Sequence, residues 1–82
     1  MNEVFLIVKV INFEYRFLLN KKNNAICKVD GILDNKSVIK LIAYDNIADR
    51  LLRKLKINDL YLFQGRLNSN MEVVLNKVYK IW

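Results

Sequence analysis

Lys40 and Tyr44 stand four residues apart in the run Val38-Ile39-Lys40-Leu41-Ile42-Ala43-Tyr44. In an extended strand that spacing puts both on one face, beside Val38 and Ile42, while Ile39, Leu41 and Ala43 take the other. A cation beside an exposed ring can hold a phosphate and stack a flat base. Lys28 sits in the preceding run, on a face with Ile26, Asp30 and Ile32. Lys9, Arg16 and Arg66 extend the cationic set along other segments, and Lys21, Lys22 and Lys36 fall in turns that border it. Taken singly, each lysine reads as a solvated residue and Tyr44 as ordinary sheet packing. Taken together, they read as a face for an unpaired polyanion.

Other chemistry is poorly provided for. The 82 residues include no His, no Pro, one Cys and two Gly. Without His, the usual general base and the commonest metal ligand are missing. A lone Cys27 forms neither an internal disulfide nor a Cys-rich zinc site, and as a nucleophile it lacks its His partner. Carboxylate with lysine is the only catalytic pairing left, so the chain reads as non-enzymatic, with no metal and no cofactor. An unpaired Cys also fits a reducing compartment.

Fourteen Lys and Arg stand against eight Asp and Glu, a formal net charge of +6. On numbers alone that excess suits a nucleic acid, an anionic membrane or simple solubility. Met1 to Ile11 is apolar, but it carries Glu3 and Lys9 and lacks the basic start of a targeting segment. No apolar run approaches the roughly 18–20 residues of a membrane span. The length allows one domain, 1–82, with one small core.

Polar punctuation divides the chain into six segments. Val4 to Ile11 is an apolar run that reads as a strand buried on both faces or covered by a neighbouring chain. Asn12 interrupts it and Phe13 to Leu19 continues it, so the two make one long, bent strand. Asn20 to Asn24 is a turn. Ala25 to Leu33 is the second strand, with Ala25, Cys27, Val29 and Gly31 on a small, apolar inner face. Gly31 marks a bend. Asp34-Asn35-Lys36 turns into the third strand, Val38 to Tyr44. Ile47, Ala48, Leu51, Leu52 and Leu55 then fall at helical spacing. Asp45 or Asn46 supplies the cap, and Asp49 pairs with Arg53 four residues on. Arg53, Lys54 and Lys56 complement the dipole and read as a solvated face. Leu60 to Leu67 and Met71 to Ile81 are strands four and five, joined by Asn68-Ser69-Asn70. Trp82 reads as packing on the barrel end or a subunit seam. The fold class is all-β with one helix: an OB-fold, a five-stranded closed or partly open barrel with the helix between strands three and four.

The same segments resemble the bacterial and organellar single-stranded DNA-binding proteins (SSB). Asn2-Glu3-Val4-Phe5-Leu6-Ile7 looks like that family's first strand, and Glu14-Tyr15-Arg16-Phe17 like its continuation. Ala43-Tyr44-Asp45-Asn46-Ile47-Ala48-Asp49 resembles the segment that leads into its helix, and Leu52-Arg53-Lys54 the Leu-Arg-Lys within it. Tyr61 to Leu67 and Met71 to Leu75 are similar to its last two strands. The compact plan is similar to that of SSB-like proteins of algal plastids and of the primosomal protein PriB. The resemblance makes Tyr44 the counterpart of a stacking Phe and Lys40 that of a phosphate-binding Arg. It also departs from the family. The long hairpins are reduced to turns, Val38 stands where the family has a stacking Trp, Val8 stands where it has a Gly, and no acidic tail follows Trp82.

The resulting expectation is a protein that binds single-stranded DNA with low sequence preference, in replication, recombination or repair. Single-stranded RNA is an open alternative, as is an OB-fold protein-interaction subunit of a replication or transcription assembly. The resemblance and the two-sided first strand agree on a homodimer or homotetramer through that strand. The Lys, Asn and Ile bias and the compact plan point to a plastid, otherwise to cytoplasm or nucleoid; no membrane association is expected.

Overall fold

The computed structural model describes residues 3–19 and 24–81; the expectations for Asn2, Lys21, Lys22 and Trp82 fall outside them. The elements run β1 (Glu3–Leu18), β2 (Asn24–Ile32), β3 (Val38–Tyr44), α1 (Asp45–Lys54), β4 (Leu60–Leu67) and β5 (Val73–Lys80). They close into a barrel in the order β1-β2-β3-β5-β4, as an OB-fold does.

The long first strand makes closure possible. Its N-terminal half pairs with β4, from Glu3↔Arg66 to Lys9↔Leu60, and its C-terminal half pairs with β2, from Lys9↔Ile32 to Leu18↔Asn24. The register shifts between Val10 and Asn12, so Ile11 is the extra residue of a bulge and the bend falls beside Asn12. Strict alternation then sends Val8, Val10, Cys27, Val29, Leu41, Ala43, Phe63 and Leu75 into one buried core. Ala48, Leu51 and Leu55 of the helix side join it. Only two residue pairs close the parallel seam between β3 and β5, Leu41↔Val73 and Ile42↔Val74.

Four local expectations are corrected. Neither Asp45 nor Asn46 caps the helix through its side chain. Tyr44 holds the N-cap position, and the Asp45 carboxylate instead accepts a hydrogen bond from the Ala25 amide at 3.3 Å. The strand runs into the helix with no loop, and Asp45 makes the sharp turn at φ 51°. Asp49 does not pair with Arg53 but accepts the Tyr15 hydroxyl at 2.6 Å, tying α1 to β1. Nor is β1 buried on both faces within this chain. Val8 and Val10 are buried, but Phe5 and Ile7 are 61% and 55% exposed, because α1 packs on β2, β3 and β5 instead. β5 starts at Val73 rather than Met71, since Met71 has φ 62° and the Asn68 side chain holds the Asn70 and Glu72 amides at 2.9 Å.

Cys27 lies fully buried in the barrel, and desolvation pushes its thiol pKa up to about 11. Tyr15 is also raised, first by its hydrogen bond to Asp49 and then by burial. Both groups keep their protons longer in the folded chain than in the unfolded one. Their contribution is therefore fully present below pH 9 and is lost as pH rises through the folded values. Denaturant titrations should show stability level up to about pH 9 and falling above it, by up to about 3 kcal/mol from Cys27. At pH 8 the folded protein should resist iodoacetamide that alkylates it in urea.

Candidate nucleic-acid interface

The outer wall of β1, β2 and β3 is ordered by cross-strand register. Three rows run across it: Asn12–Asp30–Lys40, Glu14–Lys28–Ile42 and Arg16–Ile26–Tyr44. The last row sets a cation, an apolar side chain and a half-exposed ring in line. Tyr44 is held from both sides, as the end of β3 and the N-cap of α1. Beside it lies a shallow hollow of about 130 Å³, lined by Glu14, Arg16, Leu18, Ile26 and Lys28. Its floor is Leu18 and Ile26, and its rim is charged. A base fits over such a floor while the rim cations meet its phosphates.

Arg16, Lys28, Lys40 and Tyr44 of the sequence-derived set are therefore brought together. Lys9 and Arg66 are not. Lys9 borders a separate hollow with Asp34 and Lys36, and Arg66 lies on β4, opposite Glu3 and Val74.

The register also shows a charge balance that strand-by-strand reading misses. Arg16 pairs with Glu14 at 3.2 Å, and Lys40 with Asp30 at 3.3 Å. A second hollow on this wall includes Glu72 beside Lys28 and Lys40. Three cations thus face three carboxylates. Exposed pairs of this kind are worth about 0–1 kcal/mol, so a phosphate can displace the carboxylate. The acidic partners were visible in the sequence, but only the pairing register sets them against the cations. Among the described residues, no three His, Cys, Asp or Glu side chains come together to hold a metal.

No protein-family model matches the chain, and no curated protein sequence is significantly similar to it. Solved structures are similar in shape. The SSB domain of a Synechococcus protein is 21% identical, with 96% of this chain and 94% of that one covered, at a TM-score of 0.81. The wild-type single-stranded DNA binding protein of Thermus aquaticus is 17% identical over 100% of this chain, at a TM-score of 0.82. A deletion mutant of that protein gives 17% and 0.83. The chain spans about two-fifths of each Thermus protein's length. At these identities the likeness is one of architecture: from end to end, this chain carries the OB barrel of SSB domains.

Proposed function

We propose that the protein binds single-stranded DNA without catalysis, coating unpaired strands with low sequence preference in replication, recombination or repair. The observation that carries this reading is the Arg16–Ile26–Tyr44 row beside its apolar hollow, on a barrel of the SSB type. Tyr44 stacks a base, Ile26 and Leu18 support the next, and Lys28 and Arg16 meet phosphates. Base stacking is worth about 1–3 kcal/mol, so Tyr44→Ala should weaken binding about tenfold with the salt dependence unchanged. Lys28→Ala should instead flatten the plot of log affinity against log salt by about 0.7. Fluorescence anisotropy with labelled oligo-dT over a salt series separates the two. If neither variant changes binding, the wall is not the site.

The balanced charge of the wall favours a second reading, an OB-fold protein-interaction subunit, for which no single strand would bind even at low salt. RNA is distinguished by running oligo-rU in the same series. We further propose that a second copy covers Phe5 and Ile7 on the outer side of β1. Light scattering at micromolar concentration should then read two or four copies, and a single copy refutes it. The Lys, Asn and Ile bias supports a plastid as the setting.

A further inference from the structure

The net positive charge does not sit on the wall just described, where cations and carboxylates balance. Part of it gathers where α1 ends against β5. Lys54 closes the helix, with Arg53 and Lys56 flanking it, all exposed. Among the described residues none of the three has a carboxylate within ion-pair distance. Between the helix end and β5 opens a hollow of about 450 Å³, lined by Lys54, Tyr61, Val78, Tyr79 and Lys80. Val78 and Tyr61 are its buried, apolar base. Tyr79 lines it at 50% exposure, and Lys80 stands at its rim with Asp59 at 3.1 Å. A helix C-terminus ordinarily repels an anion. Here the Tyr61 hydroxyl donates to the Lys54 carbonyl at 3.0 Å and accepts from the Lys56 amide at 2.8 Å. That bond mutes the negative end of the helix.

The geometry points to this hollow as a second contact for single-stranded nucleic acid. Tyr79 stacks a base, while Lys54 and Lys80 hold the phosphates on either side of it. A hollow bordered by an exposed ring and two cations fits a nucleotide strand better than a poly-acidic peptide, which has charge but no flat face to stack. The site rests on the reading of the chain as a single-strand binder, and it lies away from the β1–β2–β3 wall. Tyr79 ends the outer row Ile7–Leu62–Tyr79, roughly 10 Å from Ile7, so a second copy on Phe5 and Ile7 that extends along this row competes with the strand for Tyr79 and leaves Lys54 and Lys80 at the helix end. A strand long enough to reach both contacts gains from the second as an intramolecular event.

The test is an amide-shift titration of the full chain with short oligo-dT, followed by anisotropy with long oligo-dT. Shifts are expected at Lys54, Val78, Tyr79 and Lys80 as well as at Ile26 and Tyr44. Tyr79→Ala should weaken long oligo-dT about tenfold, and Tyr79→Phe should restore it. Shifts at Ile26 and Tyr44 alone overturn the second contact and leave the first reading standing. Shifts at the helix end alone overturn the first and leave the second. Equal shifts with poly-glutamate also overturn it, since charge alone would then suffice.

Discussion

Gly65→Ala should cost the fold more than about 3 kcal/mol, enough to leave a chain of this size near its unfolding midpoint at room temperature. Gly65 is buried where the β4–β5 register shifts, between Gln64 and Gly65. A Cβ there would strike the Val74 carbonyl oxygen and lie 2.9 Å from the Val73 side chain. The obstacle is mostly backbone, so no rotamer change relieves it, and room comes only by opening the β4–β5 ladder. Gly31 is a contrasting case. A Cβ there would run into the Val8 side chain, with the Lys9 carbonyl oxygen next at 3.2 Å. A side-chain obstacle can be trimmed, so Gly31→Ala should be partly rescued by Val8→Ala, whereas no single trimming should rescue Gly65→Ala. Urea unfolding of the three variants reads the difference. Undiminished stability in Gly65→Ala would mean that the barrel does not close as tightly along this seam.

The second large effect is a gain. Replacing Glu14 and Asp30 together by Gln and Asn should raise affinity for oligo-dT about tenfold at low salt. Each carboxylate repels a phosphate a few ångströms away by about 1 kcal/mol even in water, and each occupies a cation that a phosphate needs. Glu14 lies on the rim of the hollow and holds Arg16; Asp30 holds Lys40. The gain should shrink as salt rises, because screening removes the repulsion first. Asp34→Asn, on the turn between β2 and β3, removes the same charge away from the wall and should alter affinity far less. A double variant that binds no better than the parent would show that the strand does not cross this wall.

Much of the barrel could be read from alternation. β3 and β4 have the bounds that the pattern predicts, Val38–Tyr44 and Leu60–Leu67. Cys27 lies inside, where its small apolar neighbours put it. The bend of β1 is also where Asn12 breaks the apolar run. These features follow from local chemistry, since side-chain period and turn residues act within a few positions. What was not legible depends on which strand meets which. Asp49 looked like a partner for Arg53 along the helix, yet Tyr15, 34 residues away, takes it. Lys40 looked free for phosphate until register set Asp30 opposite. Ile42 points outward with Lys40 and Tyr44, yet it is 6% exposed, in the row where β5 runs beside β3. The candidate site was legible as residues, and its balance of charge was not.

The proposed function requires that the protein prefer unpaired strands to duplex. Anisotropy of the unaltered chain with labelled oligo-dT and with a duplex of equal length tests it most directly. Tighter binding to the single strand, weakening as salt rises, is the expected result. Equal binding to the duplex, or none to oligo-dT at low salt, would contradict it.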